Sequence, residues 1–531
     1  MRRNFRYTLI ASLALLAALL PTALQAQQAA ATVPGSLLLL SELTVSKNPM
    51  IQRQDLQIRR AKADMQAATS AFDYRLNSSL GYDRNRSDLF RLDPRFALVD
   101  ARIQTNNYAF GGGLQRTFRS GLTANVGLEY TRIADNYPLN SFGEEVGPFL
   151  ANNYTSTTFS LRQPLMRGAG SRYAAAQERA AGVDVESNSL NLIFVASGEL
   201  LNTVLGYWQY LGSHRQVEIY RENEERVRRM LEVTQDLVEA EKKPAGDLLQ
   251  VRADLTDKER QTLLAAQQLY SARQNLGRYI GLDESESQRI GTPLNDFPTV
   301  EASKYSAEID LARFIGLAHQ NRADLKALVK TREALEITLA LARNSLKPQL
   351  DLGGFVAYGG IDAGNQFSRI ITPLGQQQGR NVQFGVSLNY LFPLNNNLAQ
   401  AGFVSNQVAI SDQQVILDNQ IRNIELNVSI ALNDLKNSVL TLEKSGQTLG
   451  FYEEVFDNEQ LKFQNGLTTL LNLILFQERL TFAQLDYLTA QQQFARALIH
   501  LRYETGTLMP IANRVLPPED LRVFYELPGL Q

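Results

Sequence analysis

The second half of this 531-residue chain restates the first. Gln163-Pro164-Leu165 returns as Phe392-Pro393-Leu394 at an offset of 229 residues, and Asp247-Leu248-Leu249 returns as Asn472-Leu473-Ile474 at 225. Ala68–Leu76 and Ala342–Leu350 both close a polar, alanine-rich helical stretch and open a strand, 274 residues apart. The fall from 274 to 229 gives the first copy 45 extra residues between about Leu76 and Pro164. A duplicated chain folds into one arrangement made twice. Each copy reads helix, strands, long helix, reversal, long helix. The first repeat covers 27–281, with strands over 74–165 and a helical hairpin over 169–281. A linker over 282–310 follows. The second repeat covers 311–505, with strands at 349–360 and 381–393, a helical hairpin over 397–505, and a tail over 506–531.

The helical stretches carry a seven-residue beat. Leu435, Leu442, Leu449, Phe456 and Phe463 fall on it, and after the reversal so do Leu473, Leu480, Tyr487, Phe494 and Leu501. In the first copy Leu248, Leu255, Leu269 and Leu276 keep the register, with Thr262 in the gap. A sustained heptad makes a coiled-coil seam. No proline interrupts 165–243 or 394–509. Helices of about 65–70 residues would then span on the order of 100 Å, which predicts hairpins projecting far from whatever the strands build.

The strand regions alternate with period two. Val382, Phe384, Val386, Leu388 and Tyr390 are apolar, and the residues between them are polar or small. Leu350, Leu352, Val356 and Tyr358 form a partner strand. The first copy offers Leu76, Leu80 and Tyr82, then Thr157, Phe159 and Leu161. The surplus holds a further hairpin at about 107–131, turning at Arg119-Ser120-Gly121. It adds strands to a wall or forms an external loop. One apolar and one polar face suits a transmembrane barrel wall, and a soluble sandwich gives the same alternation. Two core strands per copy make four per chain, too few for a barrel of at least eight, so several chains would have to contribute.

Arg2, Arg3 and Arg6 precede a 12-residue run, Leu9–Leu20, and then Pro21 and small residues to Ala26. This is a secretory leader over 1–26, and the run is too short to span a bilayer. No later apolar stretch reads as long enough for a spanning helix. The chain is thus exported, as a soluble protein or a membrane barrel. The absence of cysteine excludes disulfides, thiolate metal sites and thiol nucleophiles. Only His214, His319 and His500 are present, so a zinc site or serine triad has thin raw material. A net charge of −2 argues against a nucleic-acid binder. No phosphate-loop or nucleophile-elbow motif occurs, and Gly111-Gly112-Gly113 lies in a strand. No catalytic residue, cofactor or metal is expected.

Leader, tandem repeat, Pro164 and Pro393 at the strand-to-helix junctions, and heptad hairpins together resemble the TolC-like outer-membrane efflux proteins. The likeness covers essentially the whole mature chain. Phe463–Asn472 resembles the family's helix reversal, a Gly followed six residues later by Asp or Asn. Ala240–Leu249 is the first-copy equivalent, with Glu241 where the family has Gly and with Pro244. The resemblance implies an α+β membrane protein in which a shared transmembrane β-barrel continues into a long periplasmic coiled-coil barrel. It implies a homotrimeric exit duct in the cell outer membrane, contacting outer-membrane lipid. The implied partners are a periplasmic adaptor and an inner-membrane pump of the RND or ABC type, serving drug efflux or type I secretion. It places a periplasmic constriction at Asp247, Phe463, Asn472 and Leu475. It places adaptor docking at Pro244, Ala245, Gly466, Leu467, Thr468 and Thr469.

Asp247 then reads as part of an acidic ring or only as a helix N-cap. Two other functions stay open: a periplasmic coiled-coil adaptor without a pore, and a secreted enzyme with helical insertions. An adaptor has little need of a tandem repeat with two strand sets, and an enzyme would require a constellation of polar side chains that the sequence does not show.

Overall fold

A computed structural model describes residues 33–140, 143–299, 310–375, 381–512 and 515–528. The leader and most of the second half of the linker, 300–309, lie outside the described residues. In chain order the elements are β1 (Val33–Gly35), α1 (Leu37–Lys47), α2 (Pro49–Thr69), β2 (Arg75–Asp88), β3 (Arg102–Thr117), β4 (Thr123–Asp135), β5 (Ala151–Pro164), α3 (Ala176–Glu239), α4 (Ala245–Ile280), β6 (Ile290–Pro293), α5 (Leu311–Asn321), α6 (Ala323–Ser345), β7 (Gln349–Ala363), α7 (Phe367–Gly375), β8 (Val382–Leu391), α8 (Asn397–Gln464) and α9 (Leu470–Glu504). They form two compact units, one of residues 57–188 and 326–418, the other of the remainder.

The strand-bearing unit holds one sheet in the order β2-β3-β4-β5-β7-β8, antiparallel throughout. The surplus of the first copy therefore adds two strands to the sheet: β3 and β4 sit between β2 and β5, whereas β7 and β8 of the second copy pair directly. At one end β3 and β4 meet in a tight turn, with the Phe118 N–H donating to Leu122 O at 2.7 Å. Gly121 makes that turn at φ +90°, where a Cβ would lie 2.8 Å from Gly168 O and 3.0 Å from Pro164 Cγ. At the other end the connections are long, spanning 89–101, 136–150 and 364–381. Helices enter the sheet from the short-turn end. There Ser187 Oγ donates to Ala327 O at 3.0 Å and Gln413 Nε2 to Leu328 O at 3.1 Å, tying α3, α6 and α8. Arg119 grips Glu178 with two nitrogens, at 2.8 and 2.6 Å.

The second unit is helical around β1 and β6, which pair in parallel. Its core gathers Leu37, Leu40, Leu200, Val204, Tyr207, Trp208, Leu276 and Ile280 from α1, α3 and α4. Trp208, the only tryptophan, is fully buried edge-on to Tyr207. The Tyr207 hydroxyl donates to Asn295 O at 2.8 Å, and burial pushes its pKa up to about 12. One sequence expectation is amended here: α3 is long and apolar enough by composition to cross a membrane, but Leu200, Val204 and Trp208 are spent on this core.

The hairpins are also shorter than the heptads suggested. The ascending limbs α3 and α8 have 64 and 68 residues, but α4 and α9 have 36 and 35. Gly281 stops α4 in a left-handed C-cap, and Gly506 takes φ +69° just beyond α9. A paired hairpin thus runs only about 50 Å, half the length of its longer limb. The junction prolines end strands and do not start helices. Pro164 is the last residue of β5, and Pro393 follows β8 by two, with the next helix several residues on in each case.

Candidate functional site: a two-faced sheet and paired hairpin tips

Directly opposed residues in a sheet share a face. One row across all six strands reads Leu76, Leu114, Val126, Phe159, Val356, Phe384. The next row along the chain, on the other face, reads Asn77, Gly113, Gly127, Thr158, Ala357, Gln383. The alternation in each strand therefore adds up to one continuous apolar face and one polar, small-residue face. The apolar face is open, with Leu80 86 % exposed and Phe384 80 % exposed. Aromatic rings border it. Tyr82, Tyr108 and Tyr130 lie toward the long loops, and Tyr74, Phe118 and Tyr390 toward the short turn. On the polar face Gly111 and Gly113 have a steric reason, since a Cβ there would lie 2.7 Å from Ser79 Oγ or Asn77 Oδ1. At the loop end of the apolar face, α7 covers Asn153 and Thr155, and Gly360 admits the Pro373 carbonyl.

The two reversals superpose at an offset of 225. Glu241 N–H donates to Val238 O at 3.0 Å and Lys242 N–H to Leu237 O at 2.9 Å. Gly466 N–H donates to Phe463 O at 3.0 Å and Leu467 N–H to Lys462 O at 2.8 Å. Both are Schellman closures with a left-handed residue, Gly466 at φ +73° and Glu241 at φ +55°. Pro244 and Thr469 hold the two N-cap positions. Thr469 Oγ1 accepts from Asn472 N–H at 3.3 Å, whereas Pro244 offers no side chain. A left-handed non-glycine costs about 1–2 kcal/mol. Glu241→Gly should therefore stabilise the first tip by about 1 kcal/mol, and Gly466→Ala should destabilise the second similarly. Hydrogen exchange over 237–247 and 462–472 at fixed pH reads both.

Pro244, Ala245, Gly466 and Thr469 are exposed, Thr468 is partly so, and Leu467 is 76 % exposed. Asn472 and Leu475 are exposed on the first turns of α9. Asp247 is half-buried in the first turn of α4, three residues past the N-cap, so the reading of Asp247 as an N-cap gives way to Pro244. Phe463 is placed inside the tip core with Val227, Met230, Val251, Phe456 and Leu470, and the Lys243 ammonium lies 5.1 Å from its ring centre. Thr468 Oγ1 donates to Glu459, which Lys462 also contacts at 3.0 Å. Those two hydrogen bonds hold the Glu459 pKa below its ordinary value. Their stabilising effect is complete above the ordinary glutamate range and is lost as pH falls through the lower, folded value.

The seam contains polar residues that the leucine count passed over. Val251, Lys258, Ala265 and Ala272 are buried at seven-residue spacing. Lys258 sits between Asp254 at 3.1 Å and Glu478 at 3.2 Å. Burial alone would lower the Lys258 pKa, but its two carboxylates raise it and keep it charged. Nearby, buried Gln477 donates to Asn223 Oδ1 at 2.7 Å. The heptad position of Lys258 was visible in the sequence, and its charge hid it.

Residues 314–507 match the model of the outer membrane efflux protein family. No curated protein matches the chain in sequence. Among solved structures, the outer-membrane channel OprN is similar at 14 % identity and a TM-score of 0.60, over 89 % of this chain and 90 % of that one. The CmeC outer membrane channel of Campylobacter jejuni gives 12 % and 0.61, over 91 % and 87 %. The outer membrane protein VceC of Vibrio cholerae gives 13 % and 0.61, over 88 % and 96 %. The likeness to the TolC-like outer-membrane efflux proteins thus stands on a family match within the second repeat and on the fold of the chain as a whole.

Proposed function

We propose that the chain is the outer-membrane exit duct of an efflux or type I secretion system, a transport conduit and not an enzyme. The observation that carries this is the six-stranded sheet with one apolar face that runs across all six strands and is exposed at Leu76, Leu80, Phe159 and Phe384. Such a face has no partner in an aqueous compartment and suits lipid, while the Gly/Ser/Asn face suits a water-filled lumen. Short turns at one end and long loops at the other match the periplasmic and external ends of outer-membrane barrels. Six strands cannot close alone, so copies share the wall, three of them by resemblance. The helices then extend into the periplasm, where the exposed tips at Pro244, Ala245 and Gly466–Thr469 meet a periplasmic adaptor. The inner-membrane pump, RND or ABC, selects the cargo.

The absence of cysteine allows a clean test of the wall. Single variants Val126→Cys and Asn125→Cys, labelled with one fluorophore in reconstituted vesicles, should part company. The first should be quenched by brominated lipid chains and the second by aqueous iodide. Iodide quenching of both would sink the wall. Asp247 at the tip would contribute three carboxylates in a trimer, favouring cations. Asp247→Ala should lower cation selectivity in planar bilayers, and an unchanged reversal potential would remove Asp247 from the filter.

A further inference from the structure

The sheet has two free edges. Among the described residues β2 pairs only with β3, and β8 only with β7. Soluble proteins blunt such edges with charge, proline or bulges. Over all ten residues β8 carries no charge and no proline, and Leu76–Tyr82 of β2 is likewise uncharged. Both edges are therefore built to be paired. The strand count fixes how. With six strands alternating in direction, β8 runs antiparallel to β2 of the same sheet. Setting β8 of one copy beside β2 of the next continues the antiparallel ladder. It also continues both faces if even-numbered residues meet even-numbered ones, because Phe384 and Leu80 share the apolar face and Gln383 and Asn77 the polar one. A strand from an unrelated protein would satisfy one edge and leave the other open. A second copy of this chain satisfies both, head to tail, and closes a ring.

We propose that all six strands of each copy lie in the wall, that β8 of one copy pairs with β2 of the next, and that three copies close an eighteen-stranded barrel. This rests on the duct reading above. Four core strands per copy would have given twelve. At a strand spacing of about 4.8 Å and a tilt of about 40°, twelve strands enclose a backbone diameter of about 24 Å and eighteen about 36 Å. The β3–β4 hairpin thus widens the exit by about half. Eighteen strands are porin-sized, leaving an open aqueous lumen at the membrane, so any narrowing of the cargo path falls to the helices.

Cross-linking in the full chain tests the seam. Ser387→Cys is combined in turn with Asn77→Cys, Ser79→Cys, Asp83→Cys and Asn85→Cys, and membranes are oxidised with copper phenanthroline. One register should link chain to chain and give a covalent trimer in denaturing gels. Ser387→Cys with Leu80→Cys, on opposite faces, should not link. Asn125→Cys with Ser160→Cys, opposed within one chain, is the positive control, and Gln383→Cys replaces Ser387→Cys should that variant fail to assemble. A particle of three-chain mass that links Ser79→Cys to Ser160→Cys within one chain, and never links β8 to β2, overturns the eighteen-stranded wall. It puts β3 and β4 outside a twelve-stranded barrel and leaves the duct standing. A monomer released without detergent overturns the duct, and the seam with it.

Discussion

Replacing Phe159 with arginine is expected to cost about 2–4 kcal/mol in the membrane and to strip most assembled protein from the outer-membrane fraction, while arginine at the next residue, Ser160, is tolerated. Phe159 lies in the middle of the apolar row, between Val126 and Val356, and a guanidinium there would face hydrocarbon. Ser160 points the other way, beside Asn125, where water would solvate the charge. Urea titration of folding into lipid vesicles measures both. Equal costs at the two positions would mean that the faces are not differently solvated, and the wall reading would fail.

The second large effect belongs to the helical unit. Arg322 is buried, with Nη2 2.7 Å from Asp324 and Nη1 2.6 Å from Glu504. Gln420 Nε2 donates to Asp324 at 2.7 Å, and the guanidinium stacks near Phe194 and Tyr503. Burial would lower the arginine pKa, but Asp324 and Glu504 raise it, so the group stays charged at every accessible pH. Arg322→Leu strands two carboxylates among apolar neighbours and should cost about 3–5 kcal/mol. Arg322→Lys cannot span the fork and should recover only part of that loss. Thermal unfolding of the detergent-extracted protein reads the order wild type, Lys, Leu. A Leu variant as stable as wild type would show the network to be replaceable packing.

Much of this is legible in the sequence. The duplication fixed matching reversals, and Asp247 and Asn472 do fall at equivalent positions because both copies close with the same two hydrogen bonds. Alternation marked the strands, since a half-buried strand must repeat every second residue. The place of the β3–β4 hairpin was not legible. Period two says which face a residue takes and nothing about which strands are neighbours. Limb length is hidden for a related reason: the beat in Leu248–Leu276 resembles that in Leu435–Phe463, and only the glycine stop at Gly281 separates a 36-residue helix from a 68-residue one. Lys258 and Arg322 escaped because buried charges look like surface charges until their partners, far away in sequence, come into contact.

One measurement bears most directly on the claim that several copies of this chain build one membrane duct. Protein extracted with detergent from the outer-membrane fraction should give, by native mass spectrometry, a particle of three mature chains and no free monomer. A monomer recovered from the soluble fraction without detergent would contradict it, and would leave the apolar face of the sheet without the lipid it is built to meet.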